Sequence, residues 1–302
     1  MEIFQLVRGE PPRRLETLER LPDEGFVWLD FVRDEAGGWE SWPRKLLGSE
    51  VDRRHLKDSL EATHKSFFDI TPDYDLLIFE GLGSDATCYP FETRSAAFFI
   101  FDRLLVSVRA RENPSSGILK QRFSDGRAKS PANARVLTQM VLDIMVERFL
   151  GIRDAFTQRL DTLQEDLLDP KSPFNDWQQL LTGRREARRL ESLCDDQVNA
   201  LDAWHRDSRL EWSNPEETRL RDATEHISRL RHAAIDIERN TEAAVQLYFA
   251  SISPRPNETV RSPPGFTAIV NASICAVPGT VRPVPKPWAS PSTMARSRSS
   301  MP

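Results

Sequence analysis

A chain of 302 residues, 29% charged and 39% hydrophobic, holds enough apolar material for one large domain or two ordinary ones. Its net charge of −5 argues against a phosphate-backbone partner, which needs a basic face, so no nucleic acid is expected. Cys88, Cys194 and Cys275 lie far apart without a CxxC spacing, which argues against a disulfide scaffold or a zinc knuckle, and the start Met1-Glu2-Ile3-Phe4 lacks the pattern of a signal peptide.

Residues 1–131 read as a mixed α/β head. Four short, β-rich apolar runs, 26–32, 75–80, 96–101 and 104–109, predict strands. The last two are separated only by Asp102-Arg103, the spacing of a tight hairpin. Between strands, 51–64 reads as helical, and Pro72 marks the return to extended chain. Such continuous apolar runs point to a sheet covered by helices on at least one face.

From residue 132 to 252 the period changes. Met145, Phe149, Ile152, Phe156, Leu160, Leu163 and Leu167 step by three and four, giving an amphipathic helix that Asp169-Pro170 ends. A second helix is expected from Pro173 to Asp207, with proline suited to a first turn. A third starts at Asn214-Pro215, and its seam runs through Leu220, Ala223, Ile227, Leu230, Ala234, Ile237, Thr241, Ala244 and Tyr248 without a slip. The fold class is therefore α+β, a head followed by three long helices.

Residues 253–302 differ in kind. They hold ten of the 21 prolines, six basic residues and a single acid, Glu258. The stretch 262–281 is uncharged and about as long as a membrane span, yet Pro263, Pro264, Gly265, Asn271, Pro278 and Gly279 interrupt it. It reads as a very poor span, and the rest as a compositionally disordered tail standing where a first membrane helix is expected.

Several separated segments resemble the CorA family of divalent-cation channels, which includes magnesium and cobalt importers and a zinc-transporting branch. Trp28-Leu29-Asp30 resembles an early strand of the family. Residues 51–64 followed by Asp73-Tyr74-Asp75-Leu76-Leu77-Ile78-Phe79 resemble its head segment. Leu220-Arg221-Asp222-Ala223-Thr224-Glu225-His226 resembles the stalk, and 248–258 resembles the run into the first membrane helix. The resemblance covers roughly residues 1–260.

The resemblance implies a cytoplasmic funnel of five identical subunits in the inner or cell membrane, with residues 1–252 cytoplasmic. It implies Mg²⁺ as regulatory and transported ion, with Co²⁺ or Zn²⁺ as further candidates. Metal held by carboxylates between neighbouring heads keeps such a channel shut. The stalk carboxylate falls on Asp222, with Glu225 and His226 beside it, and the head carboxylate on Asp58. Where the family carries Glu-Asp, this chain carries Asp58-Ser59. Asn257 falls at the pore mouth. The Gly-Met-Asn filter signature is absent from the sequence, and Ser262-Pro263-Pro264 stands where a leucine-threonine run is expected. The chain as written is therefore expected to lack a working pore and to be soluble.

Each site residue has a plainer reading. Asp222 and Glu225 on a charged helix are, on base rates, solvated face residues, and Asp58 is the weaker match. His226 and His232 are six apart and face different ways. His55 and His64 are expected as surface histidines without a third ligand. No glycine-rich phosphate loop, nucleophile elbow or catalytic acid pair is visible, so no enzyme activity is expected. Three accounts stay open: a transporter whose reading frame is disturbed near residue 253, a soluble metal-sensing protein made of the funnel alone, and an unrelated helical scaffold.

Overall fold

The computed structural model describes residues 1–84, 90–169 and 171–252. Seven strands occur in chain order: β1 (Glu2–Leu6), β2 (Arg13–Leu15), β3 (Phe26–Val32), β4 (Phe67–Ile70), β5 (Asp75–Leu82), β6 (Thr93–Ile100) and β7 (Leu104–Arg109). They form one sheet in the order β2-β1-β3-β7-β6-β5-β4. Every neighbouring pair is antiparallel except β3 and β7, which run parallel with Val27 opposite Leu104.

The four strands expected from the sequence are present, and Asp102-Arg103 makes the expected turn, with the Phe101 N–H donating to the Leu104 carbonyl at 2.9 Å. Strands β1, β2 and β4 were not expected. They lie at or next to the sheet edges, are short, and carry charged or polar residues among the apolar ones, so they lack the unbroken apolar signature of the centre.

Among the described residues six α-helices accompany the sheet: α1 (Ser41–Leu47), α2 (Arg53–Leu60), α3 (Ser115–Ser124), α4 (Ala134–Leu168), α5 (Trp177–Asp207) and α6 (Asn214–Ile252). Alternate residues of the central strands serve two cores. Trp28, Leu77, Phe79, Phe98 and Leu105 face one that also holds the apolar stripes of α4, α5 and α6. Val27, Leu29, Leu76, Ile78, Phe99 and Val106 face another, closed by Trp39 with Trp42 and Leu46 of α1 and Leu56 of α2. Burial on both faces is why these strands read as continuous apolar runs rather than alternating ones.

The long-helix seams match their sequence pattern. Leu220, Ala223, Ile227, Leu230, Ala234, Ile237, Thr241 and Ala244 are all buried where α6 packs against α4 and α5. Two helix starts differ from expectation. The helix expected over 51–64 spans only Arg53–Leu60, because the Asp52 carboxylate accepts the Arg54 N–H at 2.7 Å as a cap and Glu61 leaves the helix in extended backbone. The second long helix starts at Trp177 rather than Pro173. Phe174 is buried and packs edge-on against Trp177 at 5.0 Å, so the preceding residues serve the core rather than an extra turn.

The Trp28-Leu29-Asp30 segment is structural in detail. Trp28 Nε1 donates to Ser107 Oγ at 2.9 Å, and Ser107 donates to Asp30 at 2.7 Å. Arg109 and Lys120 complete the shell of this fully buried carboxylate, each through a direct ion pair. Burial raises its pKa, but the two cations and their hydrogen bonds outweigh burial and hold it below the ordinary carboxylate value.

Candidate functional site

The start of α6 is capped through the Glu216 side chain. The Ser213 N–H and hydroxyl both donate to Glu216 Oε2 at 2.9 Å, while the Ser213 carbonyl accepts the Glu217 N–H. Glu216 also accepts from Asn133 Nδ2 at 2.9 Å, and Asn133 Oδ1 caps α4 by accepting the Val136 N–H. One carboxylate therefore ties the beginnings of the two helices together. Burial pushes the Glu216 pKa up, and these hydrogen bonds bring it below its ordinary value.

Asp222 stands two turns further along α6, exposed, beside buried Ala223. It makes no hydrogen bond or ion pair among the described residues. It lines a groove of about 430 Å³ between α4 and α6, together with Asp143, Glu147, Arg219 and His226. Asp143 accepts from Arg219 at 3.0 Å, and burial leaves its pKa raised despite that cation. Glu225 is exposed on the same helix and does not line this groove. Of the two expected stalk carboxylates, Asp222 is thus the one with other carboxylates and an imidazole around it.

Asp58 is held differently. Helix α2 carries Leu56 into the second core, across the sheet from α6. Its C-terminal end is clamped by Arg33, which donates to the carbonyls of Ser59 at 3.1 Å and Ala62 at 3.3 Å and to Ser95 at 2.8 Å. Ser59, standing where the resemblance places an acid, is fully buried and bonds the Leu56 carbonyl. A carboxylate there would have to desolvate, whereas Asp58 remains partly exposed. The structure therefore does not bring Asp58 and Asp222 together within one chain.

His55 corrects the sequence reading. It is 3% exposed rather than on the surface, and both ring nitrogens are engaged, Nδ1 with the Tyr74 hydroxyl at 2.8 Å and Nε2 with Asp69 Oδ2 at 3.0 Å. The Tyr74 hydroxyl also accepts the Asp52 N–H at 3.0 Å, and burial pushes its pKa up to about 12. The cap of α2, the turn before β5 and the edge strand β4 are joined around this pair of rings, which sequence spacing gave no means to see. His64 is corrected as well. Asp58 and Glu61 lie beside it, so it has the further candidate ligands that the sequence reading did not find. Asn257 lies outside the described residues.

A family profile described as CorA-like Mg2+ transporter protein matches residues 23–262. Among solved structures, the cytoplasmic domain of ZntB from Vibrio parahaemolyticus RIMD 2210633 is similar over 84% of this chain and 98% of its own length, at 15% identity and a TM-score of 0.66. The soluble domain of CorA from Methanocaldococcus jannaschii is similar over 82% of this chain and 96% of its own, at 15% identity and 0.65. The complete CorA magnesium transporter of the same organism is similar over 83% of this chain and 77% of its own, at 12% identity and 0.67. At these identities the likeness is one of fold. No curated protein matches the chain.

Proposed function

Because the chain belongs to the CorA-like Mg2+ transporter family, we propose that it serves divalent-cation transport, of Mg²⁺ or Co²⁺ before other ions, as a metal-responsive head and stalk. The observation that supports this most directly is Asp222: an exposed carboxylate without a hydrogen-bond or ion-pair partner among the described residues, fixed on a helix whose other face is buried. A hard hydrated cation prefers such oxygen ligands and keeps part of its water shell. Asp58 sits on an element packed across the sheet, so the two acids meet only if they come from neighbouring copies. In a homopentamer, each ion shared between a head and a neighbouring stalk then favours the arrangement that binds it.

In this proposal the head, 1–131, supplies Asp58, and the helices, 132–252, supply Asp222 with Glu225 nearby. Asn257 would stand at the mouth of a membrane pore, with 1–252 on the cytoplasmic side. We propose further that the chain as written senses rather than conducts, since its sequence carries no Gly-Met-Asn filter signature. No helix among the described residues is long and apolar enough to cross a membrane. A soluble metal-sensing partner built on the same funnel uses the same two acids and differs only in the pore.

The sensor is tested by limited proteolysis of the full chain with and without Mg²⁺. Mg²⁺ should protect the unmodified protein, and Asp222→Ala should lose most of that protection. Digestion at equal rates with and without Mg²⁺ in both proteins sinks the sensor.

A further inference from the structure

The turn after α2 holds a donor set that the stalk carboxylate does not share. The carboxylates of Asp58 and Glu61 and the imidazole of His64 offer ligand atoms that all lie within 4.8 Å of one another. No other group of three such donors occurs among the described residues. Asp58 stands in the last turn of α2 and Glu61 is the residue just past its end. Glu61 then leaves the helix in extended backbone, and the next residues bring His64 back beside them.

The histidine's neighbours select one tautomer of its neutral ring. Its Nδ1 lies 2.8 Å from the Lys65 carbonyl oxygen, which only accepts, so Nδ1 carries a proton, and whenever the ring is neutral Nε2 has the free lone pair. Metal-bound histidines are oriented in this way, by donating the other ring N–H to a carbonyl or carboxylate. The Phe67 ring, 4.8 Å away, packs against the imidazole. The backbone beneath is fixed too, because Arg33 holds the Ser59 and Ala62 carbonyls on either side of Glu61.

We propose that Asp58, Glu61 and His64 form a site within one chain for a first-row divalent cation of intermediate softness, Zn²⁺ before Co²⁺, with water filling the remaining position. One imidazole nitrogen and two carboxylates suit these ions, whereas Mg²⁺ favours oxygen alone and dehydrates reluctantly. The proposal extends the reading of Asp58 as a metal-responsive residue and does not depend on Asp222. Lys57 marks the competition: its ammonium lies 3.8 Å from Glu61 and must swing aside as the ion enters. A bound ion replaces that single charge with two at the end of α2, giving the head a transition-metal input separate from Mg²⁺.

The test is titration of the full chain with Co²⁺, read by visible absorption, followed by displacement with Zn²⁺ or Mg²⁺. The visible band of a Co²⁺ with an imidazole ligand should saturate at one ion per chain, and Zn²⁺ but not excess Mg²⁺ should remove it, whatever Co²⁺ binds at oxygen-only ligands elsewhere. His64→Gln and Asp58→Asn should each weaken binding by about 10- to 100-fold. Lys57→Met should tighten it, and Asp222→Ala should leave it unchanged. All four positions are at least partly exposed, so folding, checked by circular dichroism, should survive. No Co²⁺ spectrum, equal binding by His64→Gln, or displacement by Mg²⁺ overturns the proposal. The Mg²⁺ protection assay on Asp222→Ala reports on the sensor by itself, so the two readings fail separately.

Discussion

At the scale of single residues, the heaviest constraint is Asp30. Its folded pKa lies below the unfolded value of 3.8, so the ionised carboxylate stabilises the fold at every pH above that value. The contribution is lost as pH falls through the folded pKa. Asp30→Asn should therefore flatten the acid limb of stability against pH. It should also cost about 3–5 kcal/mol near neutrality, because Lys120 and Arg109 would be left buried without their counter-charge. Urea unfolding between pH 3 and 7, by order of the carboxylate range, measures both effects. An unchanged acid limb would falsify the assignment. The sequence placed Asp30 inside a family-like motif but did not show its partners, since Ser107, Arg109 and Lys120 are far away along the chain. The position of Asp222 on α6 was legible because a helix keeps its local spacing, while its role is the proposal made above. His55 was not, because its partners arrive from β4 and from the turn that follows it.

At the scale of elements, α6 was legible almost residue by residue, since an apolar seam of threes and fours reports one buried face. The contact between α4 and α5 was not. Gly183 reads as a weak spot in a helix, yet a Cβ there would stand 2.3 Å from Leu160 Cδ2, a fully buried side chain. Ordinarily alanine improves a helix over glycine by about 1 kcal/mol. Here overpacking of about 1–3 kcal/mol should win, so Gly183→Ala should lower the denaturant midpoint. Leu160→Ala alone should cost about 2–5 kcal/mol, and the double variant should be more stable than the sum of the two losses predicts. Strict additivity would mean that the two side-chain positions do not compete for the same space. Strand β4 escaped detection for a different reason. Its four residues, Phe67–Ile70, put Asp69 among apolar neighbours to meet His55, which breaks the strand signature.

At the scale of the whole molecule, the prediction concerns conduction. The full chain reconstituted in liposomes should move neither Mg²⁺ nor Co²⁺, and measurable uptake would show that residues 262–281 serve as a pore. The two core faces and the order of strands were only half legible, because pairing between distant segments leaves no mark on local periodicity. The pairing of β3 with β7 illustrates what that costs. On either side of it the pairing is antiparallel: β1 lies between β2 and β3 in one half, and β4-β5-β6-β7 forms a meander in the other. Val27 and Leu104, by contrast, meet across most of the head. The entropy of that large loop must be spent before any of the parallel ladder repays it. During synthesis β3 emerges long before its partner, with an apolar edge whose only lasting cover is a strand not yet made. Acquiring the native state safely is then a matter of timing, and the seam between the two antiparallel halves is where a nascent chain is most exposed to the wrong neighbour.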